Sequence, residues 1–376
     1  FGSSRAASGT TGAPSGLRDR GHLAMQPMAD DYNRKSAVQS AVWDDAKAYF
    51  ELGLARLDLA GSPIIRAADL GCSTGRNSIL PLRMFSRRGL QCGAREVCVV
   101  LVDLPGTDWR EAERRRPGGH SPPRAASTSA GSSSAVWPAA PTSRWCQPGP
   151  RTPPAPSWPC TGWAARSRPW PTGVYVTDPL HVPDEGLLQQ WRDAAARDWR
   201  LFLSLREREL AEGGVLVATV ACPLARGDYP WSRVGLAVHK ALEGLVGEGC
   251  LERWEMAAMV LPCAWRSRDE VEAPFADPAC GLKLLAMAQH DTPDVNRQAP
   301  AAGSIALDEY AERTLDAWLA VSQNALRSPL ARRAPDLVGS VLAEVKARAL
   351  DTVKSNPDVY QLDLGFWHLV AQKQRA

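Results

Sequence analysis

The sequence lacks several features that would assign it to a specialised class of protein. Its nine cysteines include no C-x-x-C pair and no other paired spacing, which argues against a metal site and favours a reducing compartment. No apolar run approaches the length of a membrane span, so we expect no membrane partner. The net charge is only +3, and much of the basic excess lies in two atypical segments. We therefore expect no nucleic-acid partner.

The middle of the chain lacks the residues that build a folded core. No Asp, Glu or Lys occurs at 114–177, and no Leu, Ile, Met or Phe occurs at 114–179. Between Pro117 and Pro171 there are 13 prolines and five tryptophans. Proline removes the backbone donors that a sheet needs, and few of the other side chains would pack in a core. We expect residues 112–171 to be disordered and to supply no strand.

The first residues are also atypical. Residues 1–28 are rich in Gly, Ser, Ala and Arg, and their first acidic residue is Asp19. This composition predicts a disordered extension or the remnant of a transit peptide. We expect a cytoplasmic protein, or a plastid protein if the extension is a transit peptide.

A motif at residues 66–77, R-A-A-D-L-G-C-S-T-G-R-N, points to a ligand. A short apolar lead is followed by an acid, by small residues and then by an amphipathic segment, which is the pattern of strand, glycine-rich turn and helix. Gly71 and Gly75 lack a Cβ, so the backbone can approach a ligand closely there. The motif predicts the opening of a nucleotide-binding α/β domain.

The side chains of this turn are polar, which distinguishes it from a dinucleotide site. Such a site uses G-x-G-x-x-G and bare backbone amides to hold phosphate. Here Asp69, Ser73 and Asn77 line the turn. They suit the amino-acid end, the sulfonium and the ribose of S-adenosylmethionine, which has no phosphate.

A second acid follows the next predicted strand. Residues 97–102 form a continuous apolar run, typical of a parallel strand that is buried on both faces, and Asp103 ends it. An acid at this position can hold ribose hydroxyls. Taken alone, Asp103 could equally be a solvated acid that opens a turn, but the upstream motif favours the ligand role.

Three N-terminal motifs in order resemble the SABATH family of plant-type carboxyl methyltransferases. Residues 31–39, D-Y-N-R-K-S-A-V-Q, match S-Y-A-x-N-S-x-x-Q at Tyr, Ser and Gln. Residues 69–78 match D-L-G-C-S-S-G-P-N-T, and 102–109 match N-D-L-P-x-N-D-F at the central D-L-P. Residues 199–217 are similar to the family's L-x-x-R-x-x-E-L-x-x-G-G helix and strand.

The resemblance implies a fold, a methyl donor and a set of site residues. The fold would be α/β, a Rossmann-like class I methyltransferase sheet with an α-helical cap. Gln39 would hydrogen-bond the carboxylate of a small acid, and Trp231 would either wall the acceptor pocket or be a buried aromatic of the cap. A homodimer is a further family expectation. The residues that would contact S-adenosylmethionine are Tyr32, Ser36, Asp69, Gly71, Ser73, Asn77, Asp103 and Leu104.

The resemblance also suggests a cause for the middle segment. If the codons for Trp158–Trp163 are read one base earlier, with C as that base, Leu-Ala-Leu-His-Trp-Leu is an allowed translation. The family's acceptor motif, S-L-H-W-L or close to it, belongs in this window. We hypothesise that about 112–171 is translated in a wrong frame, the alternative being a genuine proline-rich insertion. Sequencing the transcript across the codons for 105–180 distinguishes the two.

The remaining pattern predicts a core and a cap. The core would comprise 29–230 and 275–376, and the cap would comprise 231–274 and 303–355. Apolar runs predict strands at 173–176, 214–220, 282–288 and 364–371, and helical periodicity predicts helices at 185–210, 231–260, 305–325 and 336–353.

Three functions follow from these patterns. The first is methyl transfer from S-adenosylmethionine to the carboxylate of a small organic acid by in-line displacement, with no general base. The second is a non-catalytic remnant of the same fold, because the middle segment is damaged. The third is a serine hydrolase, since 71–75 satisfies G-x-S-x-G around Ser73 and His368 follows late in the chain.

Overall fold

The computed structural model describes residues 37–72, 77–102, 134–137, 185–261, 263–294, 296–297 and 305–375, with the side chains at 37–41, 134–137, 187 and 230 left aside. Two 3₁₀ turns, Ala273–Ala276 and Ser328–Leu330, accompany the regular elements. In chain order these are α1 (Ala37–Arg56), β1 (Ile64–Leu70), α2 (Ile79–Gln91), β2 (Glu96–Val102), β3 (Ser134–Trp137), α3 (Glu185–Glu209), β4 (Val215–Cys222), α4 (Pro230–Gly247), α5 (Arg253–Ala258), α6 (Arg268–Glu272), β5 (Leu282–Thr292), α7 (Leu307–Arg327), α8 (Pro335–Ser355) and β6 (Leu364–Lys373). No helix among them combines the length and the apolar character that crossing a membrane requires.

The first sheet has the order β1-β2-β3. β1 and β2 are parallel, from Ile64 opposite Glu96 to Leu70 opposite Val102, and α2 connects them. The predicted strand and helix are therefore confirmed, while residues 73–76 between them lie outside the described residues. Burial alternates along β2 between buried and half-buried residues. The expectation that both faces of β2 are buried is therefore wrong: one face is buried and the other is half-buried.

The strand β3 corrects the expectation that 112–171 supplies no strand. It pairs antiparallel with β2, with Val102 opposite Ser134 and Val99 opposite Trp137. The chain has no proline between Pro123 and Pro138, so this part of the segment keeps the backbone donors that strand pairing uses. The rest of 112–171 lies outside the described residues, as does the predicted strand at 173–176.

The second sheet has the order β4-β6-β5, with β6 antiparallel to both neighbours. All three strands were predicted, and each is longer than expected. Gly365 allows β6 to begin where it does, because a Cβ there would lie 2.7 Å from the Cys222 carbonyl oxygen and 2.8 Å from that of Pro223. The side chain of any other residue would push the start of β6 away from the end of β4.

The helices predicted at 185–210, 305–325 and 336–353 are confirmed, α1 and α6 were not predicted, and the helix predicted at 231–260 differs. There the chain forms two helices, α4 and α5, instead of one. Gly249 has a φ of 74° and breaks the first helix. Glu252 and Glu255 form a capping box that starts the second, with the Glu252 amide 2.9 Å from Glu255 Oε2.

The helices α4, α5, α7 and α8 share one hydrophobic core, which includes Trp318 and Leu242, both fully buried. A buried carboxylate attaches this helical layer to the second sheet. Asp294, 1% exposed, follows β5 and accepts hydrogen bonds from the Tyr310 hydroxyl at 3.1 Å and the Leu362 amide at 3.0 Å. Burial and the adjacent carboxylate raise the pKa of Tyr310. The hydroxyl therefore stays protonated and donates to Asp294 at physiological pH.

Helix α1 lies along the second sheet and contacts it with one face. Asp45, Tyr49, Gly53 and Arg56 are spaced four, four and three residues apart, so they share that face. Asp45 Oδ2 accepts a hydrogen bond of 2.8 Å from Thr292, the last residue of β5. At the other end of the helix, the Arg56 carbonyl accepts one of 3.1 Å from Gln372.

The middle of this contact is tight and partly polar. A Cβ on Gly53 would lie 2.7 Å from Val217 Cγ2. One turn earlier, Tyr49 Oη lies 3.1 Å from His290 Nε2, and its ring also stands against that of His368. His368 is 1% exposed, and its Nδ1 lies 2.9 Å from Thr219 Oγ1.

Another side of α1 packs against the core of the first sheet. Phe50 and Leu54 of α1, and Leu57 just after it, pack against a core that includes Ile65 of β1 and Val97 of β2. One helix therefore joins the two three-stranded sheets.

Substituting Gly53 with alanine should destabilise the protein, although alanine is the better helix former. The added methyl group would meet the stiff side chain of Val217, and overpacking of this kind costs about 1–3 kcal/mol. Gly339 in α8 has open space around its Cβ position, so Gly339→Ala should stabilise by up to about 1 kcal/mol. Urea unfolding of both variants checks the sign, and stabilisation by Gly53→Ala would contradict the tight contact.

Stability should fall in mild acid because His368 is buried as a neutral ring. Burial, and then the nearby His290, lower the pKa of His368 from 6.5 to about 4. The unfolded chain therefore binds a proton at higher pH than the folded chain does, so this contribution is complete above pH 6.5 and is lost as the pH falls from 6.5 to 4. We expect the free energy of unfolding to be lower by about 2 kcal/mol at pH 5 than at pH 7.5.

The variant His368→Gln is the control for this pH dependence. Its absolute stability will differ, but its loss of stability between pH 7.5 and 5 should be smaller than that of the parent chain. If urea unfolding shows the same loss of stability between pH 7.5 and 5 in the variant as in the parent chain, His368 is ruled out as the source.

Candidate functional site

The turn after β1 has the geometry that the sequence motif predicts. Gly71 has a φ of 77°, a left-handed conformation that glycine adopts without strain. Its amide donates a 2.7 Å hydrogen bond to the Val102 carbonyl at the end of β2. The Cys72 thiol lies 3.5 Å from the same oxygen. The chain therefore turns sharply at the carboxyl ends of two parallel strands, where α/β sheets bind ligands.

Two predicted residues flank this turn. Asp69 lies opposite Leu101 near the end of β1 and is half-buried. Asn77, on the helix side of the turn, is exposed. Asp69 therefore precedes the turn and Asn77 follows it, but residues 73–76 between them are outside the described part of the chain.

A buried hydroxyl lies at the start of the helix that follows. Ser78 is 2% exposed, and its Oγ makes no hydrogen bond within the described residues. A buried polar atom without a partner is costly, and in native proteins it often marks a place where a ligand or water completes the bonding. The sequence analysis did not include Ser78, because the family motif assigns no role to that position.

Several predicted site residues lie outside the described residues, so the structure does not place them. They are Tyr32, Ser36, Ser73, Asp103 and Leu104. For Gln39 the structure gives the backbone, which belongs to the first turn of α1. The roles assigned to these six residues stay predictions.

The course of α1 nevertheless places the Gln39 backbone. Asp45 is level with Thr292, the last residue of β5. Gln39 precedes Asp45 by six residues, so its backbone lies about 9 Å further along the helix axis, beyond the carboxyl end of β5. Val42 packs against the core of the helical layer. The amino end of α1 therefore stands between the edge of the second sheet and the helices.

Trp231 lies within the helical layer. It is 6% exposed and belongs to the same core as Val234 and Trp318. This is the buried aromatic that the sequence analysis gave as an alternative. Contact with an acceptor stays a prediction.

A polar network surrounds the carboxyl end of β4 and was not predicted. The Asp291 carboxylate accepts hydrogen bonds from the Ala225 amide at 3.0 and 3.2 Å. Arg226 pairs with Asp228 at 3.3 Å and with Asp363 at 2.9 Å. Burial and then Asp291 raise the pKa of the Cys222 thiol to about 12, so this cysteine is a neutral core residue. The network holds the loop after β4 against the ends of β5 and β6.

Sequence analysis also missed the residues with which α1 contacts the sheet. The spacing of Asp45, Tyr49 and Gly53 is visible in the sequence and indicates one helix face. Their partners, Thr292 and His290, follow no motif and lie more than 240 residues away. A local pattern cannot reveal a contact of that separation.

The position of His368 argues against the hydrolase alternative. Its ring lies beneath α1, between Tyr49 and His290, with Nδ1 at hydrogen-bonding distance from Thr219. A catalytic base needs access to both nucleophile and substrate. A ring that is 1% exposed and enclosed in this way has no such access.

Comparisons by sequence give no relative: no protein-family model matches the chain, and no curated protein matches it.

Among solved structures, 23 chains match. One of them is described as loganic acid methyltransferase with SAH; its TM-score is 0.62 and its sequence identity is 17%, over 93% of this chain and 99% of that one. At this identity the likeness concerns the fold alone. The chain has the overall fold of a methyltransferase.

Proposed function

We propose that this protein is an S-adenosylmethionine-dependent methyltransferase that acts on the carboxylate of a small organic acid. The observation that carries the proposal is the fold shared with loganic acid methyltransferase over 93% of the chain. The three SABATH-like motifs support the assignment to that family. The position of the second of these motifs, 69–78, with a left-handed Gly71 between β1 and α2, is consistent with a ligand site.

The residues around the turn suit this methyl donor. Gly71 leaves space for close approach of a ligand, Asp69 supplies an acceptor for cationic or hydroxyl groups, and the buried Ser78 hydroxyl has hydrogen-bonding capacity left over. Asp69 and Asn77, with Tyr32, Ser36, Ser73, Asp103 and Leu104, would hold the donor. When bound, S-adenosylmethionine would supply an electrophilic methyl group: the nucleophile would attack the methyl carbon in line with the sulfur–carbon bond, which breaks and leaves S-adenosylhomocysteine.

The protein's main task in this reaction is positioning. A carboxylic acid has a pKa near 4, so at pH 7 the acceptor is already a nucleophilic carboxylate and needs no base. The chain has to hold an acceptor oxygen about 3 Å from the methyl carbon and in line with the bond that breaks. Gln39 would orient the carboxylate with a neutral donor, which weakens its nucleophilicity less than an arginine would. The helical layer would exclude water from the site.

A panel of small carboxylic acids, assayed with methyl-labelled S-adenosylmethionine, tests this function. We expect methyl ester formation with at least one acid, and a kcat that stays level between pH 6.5 and 8.5 because no general base titrates. Ester formation that depends on a group with a pKa near 7 would contradict the mechanism. Binding of S-adenosylmethionine without turnover of any acid would favour the non-catalytic alternative, in which the middle segment lacks acceptor residues.

The variant Asp69→Asn should weaken binding of the methyl donor. It removes the negative charge but keeps the size of the side chain, and loss of a charged hydrogen bond should weaken binding about 10- to 100-fold. Titration calorimetry with S-adenosylmethionine measures the effect. Glu96→Gln, at the opposite end of the same sheet, is the matched control and should stay within about twofold of the parent. If Asp69→Asn and the parent bind S-adenosylmethionine with equal affinity, Asp69 does not contribute to binding of the methyl donor.

A further inference from the structure

The contact between α1 and the second sheet differs in character along its length. At the carboxyl end of the helix it is a bond to the backbone, from Gln372 to the Arg56 carbonyl. In the middle it is apolar, with Gly53 against Val217 and Val370. Towards the amino end it is made by side-chain hydrogen bonds, between Asp45 and Thr292 and between Tyr49 and His290.

The two side-chain bonds are well placed to define the position of the helix. Thr292 is 3% exposed, so its hydroxyl is held within the fold and cannot follow a moving partner. Its hydroxyl donates to Asp45 Oδ2 at 2.8 Å, a hydrogen bond to a carboxylate. His290 is held in turn by ring contacts with His368 and Tyr49. The amino half of α1 is therefore fixed to side chains of β5.

Beyond these bonds the helix projects past the sheet. Gln39 lies six residues before Asp45, about 9 Å along the axis. A change of a few degrees in the direction of α1 at Asp45 would move the Gln39 backbone relative to the carboxyl ends of the strands. Sub-ångström placement matters in a reaction whose catalysis is positioning.

We propose that Asp45 and Tyr49, with their partners Thr292 and His290, are positioning residues for the acceptor: they fix the direction of α1 and thereby the place of Gln39. This inference rests on the proposed function, because it assigns Gln39 to the acceptor carboxylate. None of the four residues touches the acceptor itself. They act through the helix, and so they set the acceptor's affinity and alignment and leave the methyl donor's affinity unchanged.

The variant Thr292→Val is the sharpest test, since it keeps the shape of the side chain and removes the donor to Asp45. We expect the acceptor KM to rise about three- to tenfold, which is the effect of losing one hydrogen bond. The Kd for S-adenosylmethionine should stay within about twofold of the parent value. Tyr49→Phe should act in the same direction. Thr292→Ser keeps the hydroxyl and should restore the parent KM.

Gln372→Leu is the matched control. It removes the bond that holds the opposite end of α1, together with a bond to the Gly213 carbonyl, so any general weakening of the helix contact should appear in it as well. We expect its acceptor KM to equal that of the parent. A rise in KM as large as that of Thr292→Val would overturn the proposal, because it would show that the amino end has no special role.

A double-mutant cycle with Gln39→Ala tests whether the effect passes through Gln39. If it does, Thr292→Val should have little further effect on the acceptor KM once Gln39 is removed. Full additivity of the two substitutions would overturn the proposed route.

Hydrogen exchange separates failure of this inference from failure of the proposed function. In Thr292→Val the backbone amides of residues 42–48 should exchange faster, and those of 50–56 should not change. Unchanged exchange at 42–48 overturns the inference whether or not the protein is active. If the parent chain methylates no acid, the proposed function fails and the positioning role fails with it. This holds even if hydrogen exchange at 42–48 shows that the two side-chain bonds fix the helix.

Discussion

The contact of α1 with the second sheet is the constraint on which the rest of the structure depends. One face of the helix follows β4, β5 and β6 from Thr292 to Gln372, and another face packs on the core of the first sheet. Among the described residues, this helix contacts both sheets, and Leu70 of β1 also packs against the core of the second sheet. The contact therefore links the glycine turn at the end of β1 to the sheet that carries the helical layer.

The sequence predicted local features well. The strand, turn and helix around Gly71, the strands β4, β5 and β6, and the helices α3, α7 and α8 follow from apolar period and from turn residues, which are properties of neighbours in the chain. The division of 231–260 into two helices depended on Gly249 and on the Glu252 capping box, and these are also local signals that a finer analysis would use. The strand β3 was missed because the composition of 112–171 as a whole concealed a stretch without proline.

The candidate site was less predictable, for a physical reason. Asp69 and Gly71 belong to one short motif, and both lie where the motif places them. Ser78, Asp45 and Tyr49 gain their meaning from partners, or from the lack of a partner, in three dimensions. A local pattern does not reveal a buried hydroxyl that makes no hydrogen bond within the described residues, nor a carboxylate bonded to a threonine 247 residues away.

The central position of β6 has a consequence for how the chain folds during synthesis. β6 lies between β4 and β5 and pairs with both, so these two strands cannot join one sheet until residues 364–373 have left the ribosome. Helix α1 precedes all three strands of this sheet in the chain, and its bond to Gln372 spans 316 residues. The face of α1 that carries Tyr49 and Gly53 therefore lacks its full set of native partners until β6 is synthesised, whereas Phe50 and Leu54 can pack on the first sheet earlier. We expect the nascent chain to need chaperone protection of this face of α1 until β6 is added.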